Sequence, residues 1–367
     1  MIDAIAAVMP AANAAFEIQD ISVAAPGPGE VLVDVKAVGI CHSDLVMVSG
    51  AFGTAFPAVF GHEGAGIVLA VGEGVRKVAP GDKVLLTFNS CGECRHCRAD
   101  DPAYCEHFTA LNMACARADG SSRLHSHGHA LSDNFFGQSS FASRAIATER
   151  NVVKLDDDAD LALLAPLGCG IQTGAGAVMR SLEAKPGQSL VVIGGGSVGL
   201  SAVLGGVVAG CAPIILIEPQ QGRRDIGVEV GATHVIDPMA GDLAEAVRAI
   251  LPGGADLLVD TSGNAGAMTA ALGLIANKGR VGLVGLPAAM DATLALPVIQ
   301  WLTQGGTVRG IVEGDSDPDR FLPELAALHR AGRLPFDRFV TTYPFAEINQ
   351  AIADAHSGKA IKVVLTL

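Results

Sequence analysis

The chain has 367 residues, more than one ordinary hydrophobic core holds, so two domains, or one inserted in another, are expected. Half of the residues are hydrophobic and only 17% are charged, which excludes a disordered chain. A net charge of −13 without any Lys/Arg cluster excludes nucleic acid and anionic membrane as partners, because phosphate binding needs a basic stripe.

From Met1 to Phe16 the chain is apolar but carries Asp3 and no basic stretch, so no signal peptide is expected and the protein reads as soluble and cytoplasmic. Short β-branched runs follow at Val31–Val38, Ala65–Val71 and Lys83–Thr87. Pro26-Gly27-Pro28-Gly29 and Pro80-Gly81-Asp82 punctuate them, which predicts a β-rich first domain. Between the runs lie Cys41-His42-Ser43-Asp44 and Gly61-His62-Glu63-Gly64.

Next comes Cys91-x2-Cys94-x2-Cys97-x7-Cys105, in a polar, loop-like setting. Four thiolates this close can close a tetrahedral Zn²⁺ site with no open position, the mark of a structural metal. Iron–sulfur motifs share the first two spacings but usually place Pro after a fourth Cys. Here Glu106 and His107 follow Cys105, so zinc is the favoured occupant. Disulfides are not expected from the eight cysteines of a chain with core enough of its own. His125-x-His127-x-His129 follows, either an extra metal or relay site on one side of a strand or, by preference, a solvated loop. Cys115 and Cys211 read as packing thiols.

From about Leu190 strands alternate with helices. The strands are Leu190–Ile193, Ile214–Ile217, His234–Ile236, Leu257–Asp260, Arg280–Val284 and Thr307–Ile311. Helices are expected near Val198–Ala209, Arg223–Val230, Asp242–Leu251 and Ala265–Ala276. This order predicts a doubly wound, six-stranded parallel α/β domain. Pro186–Ile217 holds no charged residue and is long enough to span a bilayer, but Gly194-Gly195-Gly196, Gly205-Gly206, Gly210 and Pro213 break it as a buried α/β core would. Residues 313–367 are expected to return to the first domain.

Gly194-x-Gly196-x-x-Gly199 sits between a strand and a helix, where glycines allow a tight turn and close approach of backbone to a pyrophosphate. Nineteen residues beyond Gly199, Glu218 ends the second strand. A carboxylate there accepts from a ribose 2′-OH and repels a 2′-phosphate, favouring NAD over NADP. Arg223 and Arg224 stand close enough to accept such a phosphate and keep NADP open. Cys41, His62 and Cys169, in Pro166-Leu-Gly-Cys-Gly170, would make a Cys2His set with an open position, that of a catalytic zinc acting on a hydroxyl or carbonyl oxygen. Lone Cys and His residues are more often packing groups, so spacing alone leaves this trio open.

Taken together these motifs resemble those of the zinc-dependent medium-chain alcohol dehydrogenase family. Gly39-Ile-Cys-His-Ser-Asp44, Gly61-His-Glu-Gly-Ala-Gly66, the four-cysteine lobe and the glycine turn all stand in family order. Phe135-Phe-Gly-Gln-Ser-Ser-Phe-Ala142, Pro166-Leu-Gly-Cys-Gly-Ile-Gln-Thr-Gly-Ala175 and Arg309-Gly-Ile-Val-Glu-Gly314 resemble the aryl-alcohol (benzyl-alcohol) branch. The resemblance implies a GroES-like β-rich catalytic domain (1–170 and 313–367), an inserted Rossmann domain (171–312), two zincs per subunit, and a homodimer or homotetramer. It implies that Cys41, His62 and Cys169 hold the catalytic zinc, that Glu63 can approach it, and that Asp44 orients a His ligand. Ser43 would take the substrate proton. Thr173, Val198 and Val284 would line the nicotinamide, with His42 and Lys362 near the pyrophosphate and Arg223 beside the adenosine ribose. Phe88 would wall the substrate pocket. Many members carry a His three residues after the Ser, as the end of a proton relay; here Val46 stands there, so proton release needs another route.

Apolar Phe88, Phe52 and Phe56, without a basic cluster, favour a primary aromatic or allylic alcohol, oxidised reversibly to its aldehyde. Trp301 could line a pocket or an interface. The alternatives are an NADPH-dependent aldehyde reductase of the same family and a nucleotide-binding protein without catalysis.

Overall fold

The computed structural model describes residues 1–50, 53–289 and 291–367; Phe52 lies outside the described residues. In chain order the first stretch carries β1 (Ile2–Met9), β2 (Glu17–Val23), β3 (Glu30–Ile40), α1 (His42–Met47), β4 (Ala58–Val59), β5 (Glu63–Val71), β6 (Lys83–Leu86), α2 (Arg95–Arg98), α3 (Phe108–Asn112), β7 (Leu124–Ser126), β8 (His129–Ala130), β9 (Arg144–Thr148), β10 (Val152–Lys154) and α4 (Leu161–Leu164). The second carries α5 (Gly170–Gly176), β11 (Leu190–Ile193), α6 (Ser197–Ala209), β12 (Ile214–Ile217), α7 (Gln221–Glu229), β13 (His234–Ile236), α8 (Leu243–Ile250), β14 (Ala255–Asp260), α9 (Ala265–Ala271), β15 (Ile275–Leu283), α10 (Val298–Gln304) and β16 (Thr307–Gly310). The third carries α11 (Pro318–Arg330), β17 (Val340–Pro344), α12 (Ile348–Ser357) and β18 (Lys362–Thr366).

Two compact units result. The first holds Met1–Cys169, Asp317–Ala326 and Val340–Leu367; the second holds Gly170–Ser316 and Ala327–Phe339. The second therefore also takes in Gly170, 313–316 and 327–339, which the sequence reading assigns to the first domain. The reason is packing: Glu313 and Ser316 bond to Gln172 on α5, Leu334 and Phe336 are fully buried, and the short turn Phe336–Phe339 lies against α6.

In the first unit β3 is the organising strand. It pairs antiparallel with β5, β9 and β18 in a sheet ordered β10-β6-β5-β3-β18-β17. A second sheet, β4-β1-β2-β7-β8, completes the unit. The core is built from buried residues of these strands, among them Val8, Val31, Val33 and Val38, together with Phe60 and Phe141 from the segments beside them.

In the second unit six strands run parallel in the order β13-β12-β11-β14-β15-β16. Residues of β11 and β12 are buried throughout, as expected where helices cover both faces of a parallel sheet. That accounts for the charge-free stretch 186–217. Among the described residues no single helix is long and apolar enough to cross a membrane. The strands fall as predicted within a few residues. Helix α9 is shorter than expected, ending at Ala271, because buried Leu274 and Ile275 turn into the sheet, where Ile275 pairs with Ala255.

Candidate active site

Among the described residues, two groups of metal-ligating side chains converge, each with all its donor atoms within 4.8 Å of one another. The first is Cys41, His62, Glu63 and Cys169. Its elements are local consequences of sequence. Cys41 is the N-cap of α1, and Asp44 three residues on reaches back to its backbone N–H at 2.9 Å, a capping-box arrangement that starts the helix there. His62 and Glu63 lead into β5, with Gly39 opposite Glu63 across the ladder; a Cβ on Gly39 would lie 1.8 Å from the Glu63 carboxylate. Cys169 is carried by the short 3-10 turn Ala165–Gly168, whose last carbonyl accepts from Thr87 Oγ1 at 2.7 Å.

Asp44 is wholly buried and does three things: besides Cys41 N–H it accepts from Gly61 N–H at 3.1 Å and holds His62 Nδ1 at 2.9 Å. With Nδ1–H donating to the carboxylate, the lone pair of Nε2 is left to bind a metal. His62 Nε2 is buried and makes no hydrogen bond among the described residues. An orphaned buried nitrogen costs about 1–3 kcal/mol, and a metal ion is what this donor set, two thiolates, an imidazole and a carboxylate, would satisfy it with. Neighbouring Cys169 and His62 hold the Cys41 thiol well below its ordinary range against the opposing effect of burial. Burial opposes a charge on His62, but Asp44 and Cys41 outweigh it and raise the imidazole well above its usual value. Such a cluster is poised to exchange its protons for a cation. Asp44→Asn keeps the shape but loses the charge and turns one of the two accepting oxygens into a donor, against N–H groups that both oxygens now serve, and is expected to weaken metal retention at this set about tenfold, read as zinc lost to a chelator.

Lys362, expected near the pyrophosphate, is buried within the first unit. Strand β18 pairs with β3 there, so Lys362 Nζ donates to Ile40 O at 3.0 Å and to Glu63 Oε1 at 2.7 Å. Burial pushes the Glu63 carboxyl up, with Lys362 opposing it; Glu63 in turn raises Lys362 against its own burial. Removing either partner of such a buried pair alone costs roughly 3–5 kcal/mol. His42 is exposed on the first turn of α1, and Ser43 Oγ lies 3.9 Å from Cys41 Sγ.

The second group is Cys91, Cys94, Cys97 and Cys105. Backbone N–H groups of Glu93 and Cys94 point at Cys91 Sγ, and those of Cys91 and His107 at Cys105 Sγ. The N–H groups of Cys97 and Glu106 lower Cys94 to about 6, whereas burial pushes Cys97 up to about 12. Four converging sulfurs with N–H donors aimed at them fit a closed, structural zinc.

In the second unit, Gly194 has φ +98° and turns the chain from β11 toward α6; a Cβ on Gly199 would lie 1.8 Å from Gly194 O. The N-cap of α6 is Gly196, which has no capping side chain and open space where a Cβ would stand. Free N–H groups at a helix N-terminus with an open approach fit a pyrophosphate. Glu218, buried at the end of β12, accepts from Gly195 N–H at 2.6 Å and Gln220 N–H at 2.8 Å. Arg224 is turned away to the carbonyls of Glu218 and Pro219, leaving Arg223 as the partly exposed cation beside this turn. Val198 stands on the first turn of α6, Val284 N–H bonds to Asp260 O, and Thr173 is buried in α5 with its hydroxyl 3.4 Å from Glu313 Oε2.

Phe88 is buried with its ring 5.9 Å from that of Phe108, and Phe56 packs edge-on to Phe60. Trp301 belongs to the core of the second unit. The three histidines are not brought together: β7 and β8 form a hairpin with His127-Gly128 in its turn, and because His129 is opposite Ser126, it shares no face with His125. Burial holds the Cys115 thiol at about 12 and raises Cys211, which suits packing groups. Sequence reading assigned no role to Gln138 or Asn151, buried amides that tie the backbone around His62 and Thr87. The only trace of them in sequence was polar residues within apolar surroundings.

Comparison with known proteins matches residues 27–157 to the alcohol dehydrogenase GroES-like domain and residues 197–330 to the zinc-binding dehydrogenase domain. The geraniol dehydrogenase of Castellaniella defragrans is 46% identical over 99% of this chain and 98% of its own length. A zinc-binding-domain alcohol dehydrogenase structure from Burkholderia ambifaria is 44% identical with a TM-score of 0.98, covering 100% of this chain and 99% of that one. The benzyl alcohol dehydrogenase structure from Acinetobacter calcoaceticus is 39% identical with a TM-score of 0.97, and coverage is 100% of both chains. Two domain families matched in order, and near-half identity sustained from end to end, place the chain in the family of zinc-dependent medium-chain alcohol dehydrogenases.

Proposed function

We propose that this alcohol dehydrogenase oxidises primary aromatic or allylic alcohols to aldehydes, reversibly, with NAD and two zincs per subunit, one in each cysteine-containing cluster. The observation that carries the reading is the convergence of Cys41, His62 and Cys169, with Glu63, around the orphaned His62 Nε2. When bound, zinc supplies a Lewis acid for the alcohol oxygen and the nicotinamide supplies the hydride acceptor. The chain's own residues do the rest. Asp44 keeps the His62 tautomer, and Ser43 takes the hydroxyl proton. Val46, the residue where a relay His would stand, cannot pass that proton on. The glycine turn and α6 hold the pyrophosphate, with His42 as a further partner for it. Glu218 accepts from the adenosine ribose with Arg223 beside it, and Thr173, Val198 and Val284 pack on the nicotinamide. Phe88 and its aromatic neighbours exclude charged substrates. The aryl or allylic preference rests on what the two relatives are named for acting on and on these phenylalanines.

Arg223 supports a second reading, NADPH-dependent aldehyde reduction. Its side chain is partly exposed and its Nε makes no hydrogen bond among the described residues, so the guanidinium has donors left for a phosphate.

A homodimer is also proposed, from the second unit's sheet edge. All four residues of β16 are exposed, as are Val298, Ile299 and Leu302 on α10. An edge strand beside an apolar helix face suits pairing with a second copy.

The test is initial rates with NAD⁺ and NADP⁺ on benzyl alcohol, geraniol and ethanol, alongside zinc content. Two zincs per subunit, and NAD⁺-dependent turnover of the first two alcohols above ethanol, are expected. One zinc with no turnover sinks the proposal, and a preference for NADP⁺ selects the second reading.

A further inference from the structure

Four of the six residues from Asn134 to Ser139 have positive φ: Asn134 at 76°, Phe136 at 50°, Gly137 at 67° and Ser139 at 48°. For a bulky aromatic such as Phe136, left-handed backbone costs about 1–2 kcal/mol. Buried polar side chains hold the loop in that shape. Asn151 Nδ2 donates to the carbonyls of Phe136 and Gly137 at 3.0 and 3.3 Å. Ser139 Oγ accepts from Phe135 N–H at 2.9 Å and donates to Val59 O at 2.7 Å. Gln138 Nε2 donates to His62 O at 2.8 Å and Thr87 O at 3.1 Å, while its Oε1 accepts from Gly64 N–H and Ser140 Oγ.

What this arrangement achieves is a frame for one imidazole. The ring of Phe136 stacks on His62, centroids 4.4 Å apart and planes at 26°. Phe135 meets the same imidazole edge-on, at 5.2 Å and 84°. Phe108 in turn packs edge-on with Phe136, at 6.3 Å and 88°. The single Asp44 hydrogen bond holds one atom of the imidazole but leaves the ring able to swing about that bond. Contacts on its face and flank remove that freedom. A residue that merely fills space can do so from relaxed backbone, without an aromatic plane parallel to its neighbour's.

We infer that Phe136 is a positioning residue for His62, fixing the plane of the imidazole and thereby the direction of the Nε2 lone pair. This rests on the proposed reading of Cys41, His62 and Cys169 as the open zinc set. The ring touches neither reacting atoms nor metal; it acts through His62.

Cobalt(II) replacing zinc at that set gives the test, because its visible spectrum reports ligand geometry. The spectrum and the rate of cobalt loss to a chelator are compared for the wild type, Phe136→Leu, Phe136→Met and Phe136→Tyr. Zinc kept by the four-cysteine lobe and the Tm report the fold. Leu and Met are expected to shift the bands and speed cobalt loss about tenfold with the lobe's zinc retained, and Tyr, which keeps the ring, to match the wild type. Leu and Met variants with the wild-type spectrum and loss rate overturn the inference, as does a Tyr variant no better than Leu. If Leu and Met both lose the lobe's zinc, the ring serves the fold alone and the inference also falls. A wild type that takes up cobalt only in the lobe instead refutes the proposed open zinc set.

Discussion

Cys169→Ala is expected to lower kcat/KM for alcohol oxidation by about a thousandfold, with the fold intact. A Lewis acid on the reacting oxygen contributes several kcal/mol to the transition state, and each 1.4 kcal/mol is about tenfold. Removing this thiol leaves one sulfur, one imidazole and the Glu63 carboxylate, which is itself drawn into an ion pair with Lys362. Alanine supplies no replacement donor, and the change removes a single buried sulfur atom at the end of a short turn. Zinc content should fall from two to one per subunit while the four-cysteine lobe keeps its metal and the Tm moves little. Activity within tenfold of wild type would remove Cys169 from the chemistry.

The second large effect is on cofactor choice. Glu218→Ala should reduce the ratio of kcat/KM with NAD⁺ to that with NADP⁺ on the order of 10²-fold. Both carboxylate oxygens of Glu218 are already engaged by backbone N–H groups, which fixes the carboxylate against the glycine turn. A carboxylate so held is a charged acceptor for ribose hydroxyls, an interaction of about 1.5–3 kcal/mol, and an obstacle to a 2′-phosphate. Its loss also leaves Arg223 as the nearest charge at the turn, which favours the phosphorylated cofactor. Rates with NAD⁺ should fall and those with NADP⁺ rise. If the ratio is unchanged, the ribose lies elsewhere.

The parts of this molecule that were legible in sequence are those written in contiguous residues. The second unit's strands stood out because a parallel sheet buried on both faces leaves uninterrupted β-branched runs such as Leu190–Ile193 and Ile214–Ile217. The first unit was harder to read. Its β1 and β2 are half exposed and its β7 and β8 are only a few residues long, so neither hydrophobic run nor period marks them. Helix α5, with three glycines in seven residues, has little intrinsic preference to be helical and forms by packing against α6. The stretch 327–339 joined the second unit because Phe336 and Leu334 found their burial there, a matter of contact rather than of local pattern.

The two metal-ligating sets divide in the same way. Cys91, Cys94, Cys97 and Cys105 lie within fifteen residues, so short loops compel them to meet, and the sequence by itself determined that cluster, as it did the glycine turn and the acidic residue one strand later. The open set draws Cys41, His62 and Cys169 from distant positions, and only pairing of β3 with β5 and the turn before Cys169 brings their donors together. Tertiary structure alone decided that Lys362 faces Glu63, that the three histidines part company, and that Phe136 lies flat on His62. The physical reason is one of range: turn chemistry and periodicity act over a few residues and are encoded there, whereas the direction of a buried side chain is set by whichever remote residues the completed core presses against it.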